Sequence, residues 1–462
     1  LGLDVEFIRS IVTVGTGERM LRLESEESLE AYGRFLAELF PECPEDVARV
    51  MEDIRRITGY VDILYAIKNP AFLDIKEDRD YFVKTLLPWV FRYTATAPKI
   101  SRLFEPVEAY LARRITSRRL RDTIAQHFFR GTPTFFALSY FRLYLDYHYP
   151  RGGTGALTEA LARYLVDHDG EIVTESRVER LLPEQRLLVD QAGREYEYGE
   201  AIWTADAKRL YAACDERHLP SRRARAAVAA KRDEMREARG GDSALSVYLE
   251  VNLPPSYFAE VATGHVFHTP RADGLSTVGP EPPTPADVSR LPAQEIRERL
   301  VAWMHEYVDL NTFEIAIPAL RDPELAPPGK TGLIVSLLFD YDVFAVAEAA
   351  GLYGEFKEAC RKRMIDALDA SLYPGLRDAT ERAFAATPLT LARLTGNDSG
   401  AITGWAFTGT TMPAENRLPR IASATKTPIP HVHQAGQWTY SPSGAPISIL
   451  TGKLAADRAL RG

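Results

Sequence analysis

The sequence contains few cysteines and no long apolar run. Its three cysteines, Cys43, Cys214 and Cys360, are too few and too widely spaced for a disulfide framework or a closed zinc site. This fits a reducing compartment and predicts a cytoplasmic protein. The best apolar stretch, residues 332–339, is far shorter than the roughly 20 residues that cross a bilayer. The sequence therefore excludes a small secreted scaffold and a membrane-spanning protein.

An excess of positive charge is also absent. The chain has 56 Lys and Arg against 64 Asp and Glu, a net charge of -8. This balance argues against a general electrostatic attraction to nucleic acid, so we predict no nucleic-acid partner. The basic residues gather in two stretches, 113–121 and 208–239. Each is predicted to be a solvated helix, with peripheral contact to a membrane surface as the alternative.

Several common catalytic motifs are missing. The sequence has no Gly-x-Ser-x-Gly elbow, Walker loop or His-Glu-x-x-His, and Gly15-Thr16-Gly17 lacks the third glycine of a dinucleotide fingerprint. Two histidine pairs lack a nearby Cys or acidic ligand at a recognised spacing, so we predict structural roles and no metal. These pairs are His265 with His268 and His431 with His433.

The 462 residues are long enough for two domains or more, and their pattern predicts a mixed α/β fold. A hairpin is expected within residues 7–23, then helices that begin at Ser25 and Pro44. Residues 171–173, 177–182, 186–190, 195–198, 201–203, 244–251, 265–268, 312–317, 332–339 and 429–434 are predicted strands.

Residues 134–149 are rich in aromatic side chains. Phe136, Tyr140, Tyr144 and Tyr147 recur in this stretch at near-helical spacing. Such a stripe is typical of a core helix whose Tyr hydroxyl groups reach its rim. The alternative interpretation is an aromatic wall beside an elongated apolar ligand.

The most informative pattern lies near the C-terminus. A predicted strand leads to Gly436, and Gly444-Ala445-Pro446 opens a helix with small residues on one face. Glycine allows a bound group to approach the backbone closely. The positive end of a helix stabilises negative charge, such as the charge that forms near N1 and O2 of a reduced flavin. A surface helix with a tight entry turn explains the pattern equally well.

Three blocks of motif occur in order along nearly the whole chain. The first is Tyr149-Pro150-Arg151-Gly152-Gly153 with Leu157, Leu161, Gly170, Ile172 and Val178; the second is Arg393-Leu394-Thr395-Gly396-Asn397 with Gly400, Gly404 and Trp405; the third is Ala435-Gly436-Gln437-Trp438-Thr439 with Gly444-Ala445-Pro446 and Thr451-Gly452-Lys453-Leu454-Ala455-Ala456. Together they resemble the phytoene desaturase and carotenoid isomerase family, within the flavin amine-oxidase superfamily.

This resemblance implies a two-domain α/β flavoprotein. The FAD/NAD(P)-binding, Rossmann-like domain would be discontinuous, formed by residues 150–243 and 395–462. Residues 1–149 and 244–394 would form a substrate domain with an antiparallel sheet and a helical cap. FAD is the implied cofactor, and the implied binding residues are Val178, Thr204, Ala205, Asp206, Gly436, Gln437, Gly444, Ala445, Pro446 and Ile447.

The resemblance also implies a reaction. Members of the family desaturate, saturate or isomerise carbon–carbon bonds of long apolar substrates such as carotenoids or other isoprenoids. Under this hypothesis Phe136, Tyr140, Tyr144 and Tyr147 become channel-lining residues. No side chain is identified as a general base, and the oligomeric state is left open.

The sequence departs from the family at its start. The family opens with a strand, a Gly-x-Gly-x-x-Gly turn and an acidic residue that holds the ribose, and the sequence contains no such unit. We expect this unit to lie upstream in a longer protein. Supply by another chain, or a fold that has abandoned flavin, are the alternatives. His431 and His433 also stand where the family carries Asn and an aromatic residue.

Two other functions compete with the apolar-substrate hypothesis. An enzyme of the same superfamily that acts on a polar amine or another small molecule would need a charged anchor and fewer apolar walls. A flavin-free, non-catalytic subunit would keep the architecture without the chemistry.

Overall fold

The computed structural model describes residues 3–65, 82–409, 412–417 and 420–461. The chain divides into two compact units, each built from two stretches. Unit 1 comprises Leu1–Gly170 and Ala244–Thr387, and unit 2 comprises Glu171–Ser243 and Pro388–Gly462. These units differ from the predicted domains in residues 150–170, which belong to unit 1, and residues 388–394, which belong to unit 2.

The strands are short except for two. In chain order they are β1 (Phe7–Arg9), β2 (Val12–Thr16), β3 (Arg19–Leu23), β4 (His148–Pro150), β5 (Val178–Leu182), β6 (Leu187–Asp190), β7 (Glu195–Glu197), β8 (Ala201–Trp203), β9 (Ser243–Val251), β10 (His265–Thr269), β11 (Phe313–Ala316), β12 (Thr331–Phe339), β13 (Thr380–Ala386) and β14 (Val432–Gln434).

The helices of seven or more residues, in chain order, are α1 (Ser28–Leu39), α2 (Pro44–Tyr65), α3 (Leu87–Ser101), α4 (Val107–Arg114), α5 (Arg118–Ala125), α6 (Thr134–Tyr144), α7 (Thr154–Asp167), α8 (Ala207–Ala213), α9 (Arg222–Glu237), α10 (Ala293–Leu310), α11 (Tyr341–Ala349), α12 (Tyr353–Ser371), α13 (Pro388–Thr395) and α14 (Ala445–Ala459). A π-helical turn, Phe82–Leu86, leads directly into α3. No helix in the described part of the chain has the length and apolar character needed to cross a bilayer.

Unit 1 is built around a seven-stranded sheet in the order β13-β9-β12-β11-β10-β2-β3. β2 pairs antiparallel with β3 and parallel with β10, and β10 and β12 both pair antiparallel with β11. In β12 buried and half-buried residues alternate, since successive side chains point to opposite faces of a sheet. The helices α1, α2 and α4 to α6 bury apolar side chains in one cluster with residues of β2, β3 and β10.

Unit 2 contains two small sheets. β5, β6 and β7 form an antiparallel sheet, and β8 pairs parallel with β14. Around them α8 and α9 pack on a core that includes Leu210, Tyr211, Val228, Trp405 and Trp438. The parallel pair positions the candidate cofactor site described below.

Most predicted elements are confirmed, and two are wrong. The helix predicted from Ser25 begins at Ser28, because the Ser28 hydroxyl accepts the backbone N–H groups of Glu24 and Ser25 and closes a turn before it. Residues 171–173 are not a strand: they pair with no described strand, and Ile172 and Val173 are 52% and 41% exposed. An extended segment without a ladder partner gains no sheet hydrogen bonds.

Candidate functional site

Two strands end side by side at the centre of the candidate site in unit 2. In the parallel pair, His433 lies opposite Ile202 and Gln434 opposite Trp203. The Ala435 N–H continues the ladder by donating to the Trp203 carbonyl oxygen at 2.9 Å. Parallel strands bring their carboxyl ends to one edge, which is where open α/β sheets bind ligands. The predicted segments 204–206 and 435–437 therefore meet at this edge.

Gly436 has a backbone conformation that suits glycine alone. Its φ is +90°, and an added Cβ would lie 3.4 Å from the Thr204 carbonyl oxygen. Its N–H donates to the Thr451 Oγ1 at 3.0 Å, and the Thr451 hydroxyl donates in turn to the Ile447 carbonyl oxygen at 2.8 Å. The buried Thr451 side chain thus connects the strand end to the first turns of α14.

The N-terminus of α14 offers free donors to a ligand. Gly444 precedes the helix, Pro446 lies in its first turn, and no side chain caps it. The first N–H groups of a helix have no partner within it, so those of Ala445 and Ile447 can bind an anionic or carbonyl oxygen. Ala445 and Pro446 are exposed. Small residues, an uncapped positive helix end and the glycine at 436 fit the polar edge of a flavin.

Asp206 has a structural position. Its side chain is buried, accepts the Asp398 N–H at 2.7 Å and caps α8 by accepting the Arg209 N–H at 3.2 Å. Burial raises the pKa of Asp206, partly offset by these hydrogen bonds. The carboxylate therefore holds the loop of Thr204 and Ala205 in place.

A pair of tryptophans supports the loop that carries Gln437. The Trp405 and Trp438 rings meet edge to face with centroids 4.8 Å apart, and the Trp405 indole N–H donates to the Trp438 carbonyl oxygen at 3.0 Å. Gly404, at φ +85°, passes so close that an added Cβ would overlap the Gln437 carbonyl oxygen. The second and third sequence blocks therefore pack together under the site.

Val178 lies in a different sheet from the other predicted cofactor residues. It begins β5 and pairs with Asp190 of β6. β5 is joined to the end of α8, because the Asp215 N–H donates to the Leu181 carbonyl oxygen at 2.9 Å. A contact between Val178 and the cofactor stays a prediction.

Thr451 is a site residue whose role the sequence did not single out, although it falls inside the third block. Thr451→Val keeps the shape but removes the hydroxyl group that accepts the Gly436 N–H. We expect the free energy of unfolding of unit 2 to fall by about 2 kcal/mol, because a polar group loses its partner. Chemical denaturation will measure the change. Thr451→Ser, which retains the hydroxyl, should lose less than Thr451→Val, and the opposite order would contradict this role.

The predicted channel residues form a chain of aromatic contacts in unit 1. Tyr140 meets Phe136, Tyr144 and Tyr147 edge to face, with ring centroids 5.3, 5.1 and 6.3 Å apart. Phe136, Tyr140 and Tyr147 are half-buried, whereas Tyr144 is only 6% exposed and belongs to the core. The structure thus divides the four residues: Tyr144 packs, and the other three offer accessible aromatic surface.

A histidine and a carboxylate lie at the rim of this aromatic group. The His265 ring stacks on Tyr147 with centroids 5.6 Å apart, and its Nε2 lies 2.9 Å from the Glu314 Oε1. Burial raises the pKa of Tyr147 and holds its hydroxyl neutral. Sequence reasoning gave His265 a structural role and missed Glu314. A signal for His265 was available: His265 and Phe267 are two residues apart in β10, so they share one face of the strand.

The second histidine pair encloses a carboxylate at the start of the parallel sheet. Glu200 accepts from His431 Nδ1 at 2.6 Å and from His433 Nε2 at 2.8 Å. These hydrogen bonds, that from His431 foremost, lower the pKa of Glu200. Among the described residues, no group of three or more His, Cys, Asp or Glu side chains is arranged to hold a metal ion.

Comparison with known proteins gives structural matches only. No protein-family model matches the sequence, and no curated protein matches it. The whole chain superposes on 83% of an oxidoreductase from Methanosarcina mazei (TM-score 0.52, 13% identity). It also superposes on 84% of putrescine oxidase bound to putrescine (TM-score 0.51, 12% identity). A third match is cyclohexylamine oxidase from Brevibacterium oxydans, of which 83% is covered (TM-score 0.53, 11% identity).

At sequence identities of 11–13%, these superpositions show similarity of the fold alone. The superposition extends over the whole of this chain, so it covers the segments that carry β8, β14 and α14 as well as unit 1. The mixed α/β architecture predicted from the sequence is confirmed at this level. The chain therefore has the fold of these oxidoreductases.

Proposed function

We propose that the protein is an FAD-dependent oxidoreductase in which unit 2 binds the cofactor and unit 1 contributes the substrate surface. The observation that carries the proposal is the junction of Thr204, Gly436 and the uncapped start of α14, joined by the buried Thr451. It combines a close backbone approach with free N–H donors at one strand edge. This is the chemistry that the polar edge of a flavin requires.

Within this proposal the chain's own residues have defined tasks. Acceptance of a hydride is the chemistry that FAD supplies when bound. The N–H groups of Ala445 and Ile447 would stabilise negative charge on the cofactor's pyrimidine edge. Val178, Thr204, Ala205 and Gln437 would contact the cofactor, while Asp206 would hold their loop from behind. No side chain is assigned as a general base.

The substrate we propose is a long apolar molecule, a carotenoid or related isoprenoid, whose carbon–carbon bonds are desaturated, saturated or isomerised. Support comes from the half-buried rings of Phe136, Tyr140 and Tyr147, which present apolar surface without charge. Aromatic rings of this kind bind extended apolar ligands by close packing and exclude water.

Oxidation of an amine is the second candidate. Glu314 is 56% exposed and hydrogen-bonds His265, which itself stacks on Tyr147. A carboxylate beside aromatic rings suits a protonated amine, through ion pairing and cation–π attraction. Two of the structural matches are named as oxidases of putrescine and cyclohexylamine, which adds weight to this candidate.

The cofactor proposal is tested first. We expect the full-length protein, as purified or after reconstitution with FAD, to show the visible absorption of bound flavin and to release FAD on denaturation. A folded protein that stays colourless after reconstitution would contradict the proposal and favour the flavin-free subunit.

The substrate classes are then separated by anaerobic reduction of the flavin. A polyene that the enzyme desaturates should bleach the oxidised flavin, and one that it saturates should reoxidise flavin reduced beforehand. Tyr140→Ala should slow either reaction at least about tenfold with flavin retained, because the central ring of the aromatic group is lost. Tyr140→Phe is the matched control. If amines bleach the protein instead, and Glu314→Gln raises the amine KM while Glu295→Gln does not, the second candidate replaces the first.

A further inference from the structure

One helix of unit 1 carries an apolar strip on its outer surface. The strip runs from the π-helical turn into α3, where its four members are 60%, 53%, 41% and 69% exposed: Val83, Leu87, Val90 and Phe91. Their spacing places them on one side of the helix, since residues three and four apart are neighbours. Thr96 and Ile100, on the other side, are buried. We call these four residues the α3 strip.

The opposite side of α3 is fixed to the rest of unit 1. The Trp89 indole N–H donates to the Ile63 carbonyl oxygen of α2 at 2.5 Å, and the Trp89 ring stacks on Tyr93 with centroids 5.0 Å apart. Because these contacts hold the inner face, the exposure of the α3 strip is a property of the packed helix. A contiguous apolar surface of this kind marks a site of interaction.

The charged residues within the stretch that carries the strip have one sign. Residues 82–104 contain no Asp or Glu and four cationic residues, Lys84, Arg92, Lys99 and Arg102. This contrasts with the net charge of -8 for the chain. The stretch therefore combines an apolar face with a local positive charge that the overall sum conceals.

We propose that the α3 strip docks on an anionic phospholipid surface. A helix with an exposed apolar face and with Lys and Arg beside it inserts its face at the boundary of headgroups and acyl chains. The cations gain energy from anionic headgroups. A second copy of the chain fits poorly, because two α3 strips face to face would bring eight like charges together. In the basic stretches at 113–121 and 208–239, many of the arginines pair with acidic residues.

Cosedimentation of the full chain with vesicles tests the proposal. We expect the protein to bind vesicles of phosphatidylcholine and phosphatidylserine in equal parts, to bind pure phosphatidylcholine far less, and to dissociate as salt rises. Phe91→Ser should lower the partition constant for these vesicles roughly tenfold, because the largest apolar group of the strip is lost. Arg92→Glu should lower it on anionic vesicles alone.

The matched control is Phe384→Ser, which removes an equally exposed phenylalanine (63%) from β13 of the same unit. It should bind vesicles as the wild type does. Circular dichroism will verify that each variant is folded. Equal binding to the two vesicle types, or equal losses in Phe91→Ser and Phe384→Ser, would overturn the proposal. So would a concentration-dependent dimer that Phe91→Ser dissolves and vesicles leave intact.

Discussion

Tyr144→Asp should unfold unit 1. Tyr144 is 6% exposed, its ring touches those of Tyr140, Tyr147 and Phe267, and its hydroxyl has no hydrogen-bond partner. An aspartate at this position would lose the ring contacts and bury a carboxyl group without a partner. The cost should exceed about 4 kcal/mol, a large share of the 5–15 kcal/mol that stabilises a typical domain. Circular dichroism and chemical denaturation will show the loss.

Tyr144→Phe provides the control. Since the hydroxyl makes no hydrogen bond, its removal ends the burial of an unpaired polar group and should leave stability unchanged or raise it by up to about 1 kcal/mol. Burial raises the pKa of Tyr144, so the wild-type side chain is neutral and no charge is lost with the hydroxyl. If Tyr144→Asp remained folded and failed only in turnover, Tyr144 would be a channel residue after all.

Gly404→Ala should weaken unit 2 strongly. Gly404 has φ +85°, which side chains rarely adopt, and its added Cβ would overlap the Gln437 carbonyl oxygen, a backbone atom that cannot rotate away. Backbone strain alone costs about 1–3 kcal/mol, and displacement of the tryptophan pair adds to it, so we expect a loss of about 3 kcal/mol or more. A fall in the denaturation midpoint will measure it, and flavin binding should weaken with it.

Gly193→Ala separates the two contributions. Gly193 also has a positive φ, +77°, and lies in unit 2, but nothing lies within 4 Å of an added Cβ. It should therefore lose only the conformational cost, about 1 kcal/mol. Equal losses in the two variants would mean that the contact with Gln437 contributes nothing.

The sequence predicted those parts of the fold that depend on local rules. Pro44 opens α2 as expected, and the hairpin expected within residues 7–23 is the antiparallel pair of β2 and β3. Each of these outcomes depends on neighbours in the sequence or on helical periodicity. These outcomes depend little on contacts between residues that are far apart in the sequence.

Residues whose state depends on distant partners were harder to predict. The aromatic stretch left open whether Tyr144 packs or lines a channel, and only the approach of Phe267 from β10 distinguishes it from Tyr140. Glu314 lies beside His265 because of the register in which β10 and β11 pair, and the sequence does not reveal that register. Likewise, nothing near residue 206 in the sequence reveals that its carboxylate binds the Asp398 backbone.

The parallel pairing of β8 with β14 has a consequence for the order of folding. Trp203 and Gln434 are neighbours in the sheet but lie at distant points of the sequence, and all the strands of the large sheet from β9 to β13 lie between them. A contact of such long range forms late, because a long loop must close first. During synthesis, unit 1 can acquire its sheet before β14 and α14 leave the ribosome. In a nascent chain, β8 and the loop after it therefore lack their parallel partner until residues 432–434 have been made, so this segment is exposed to chaperones and proteases during that interval.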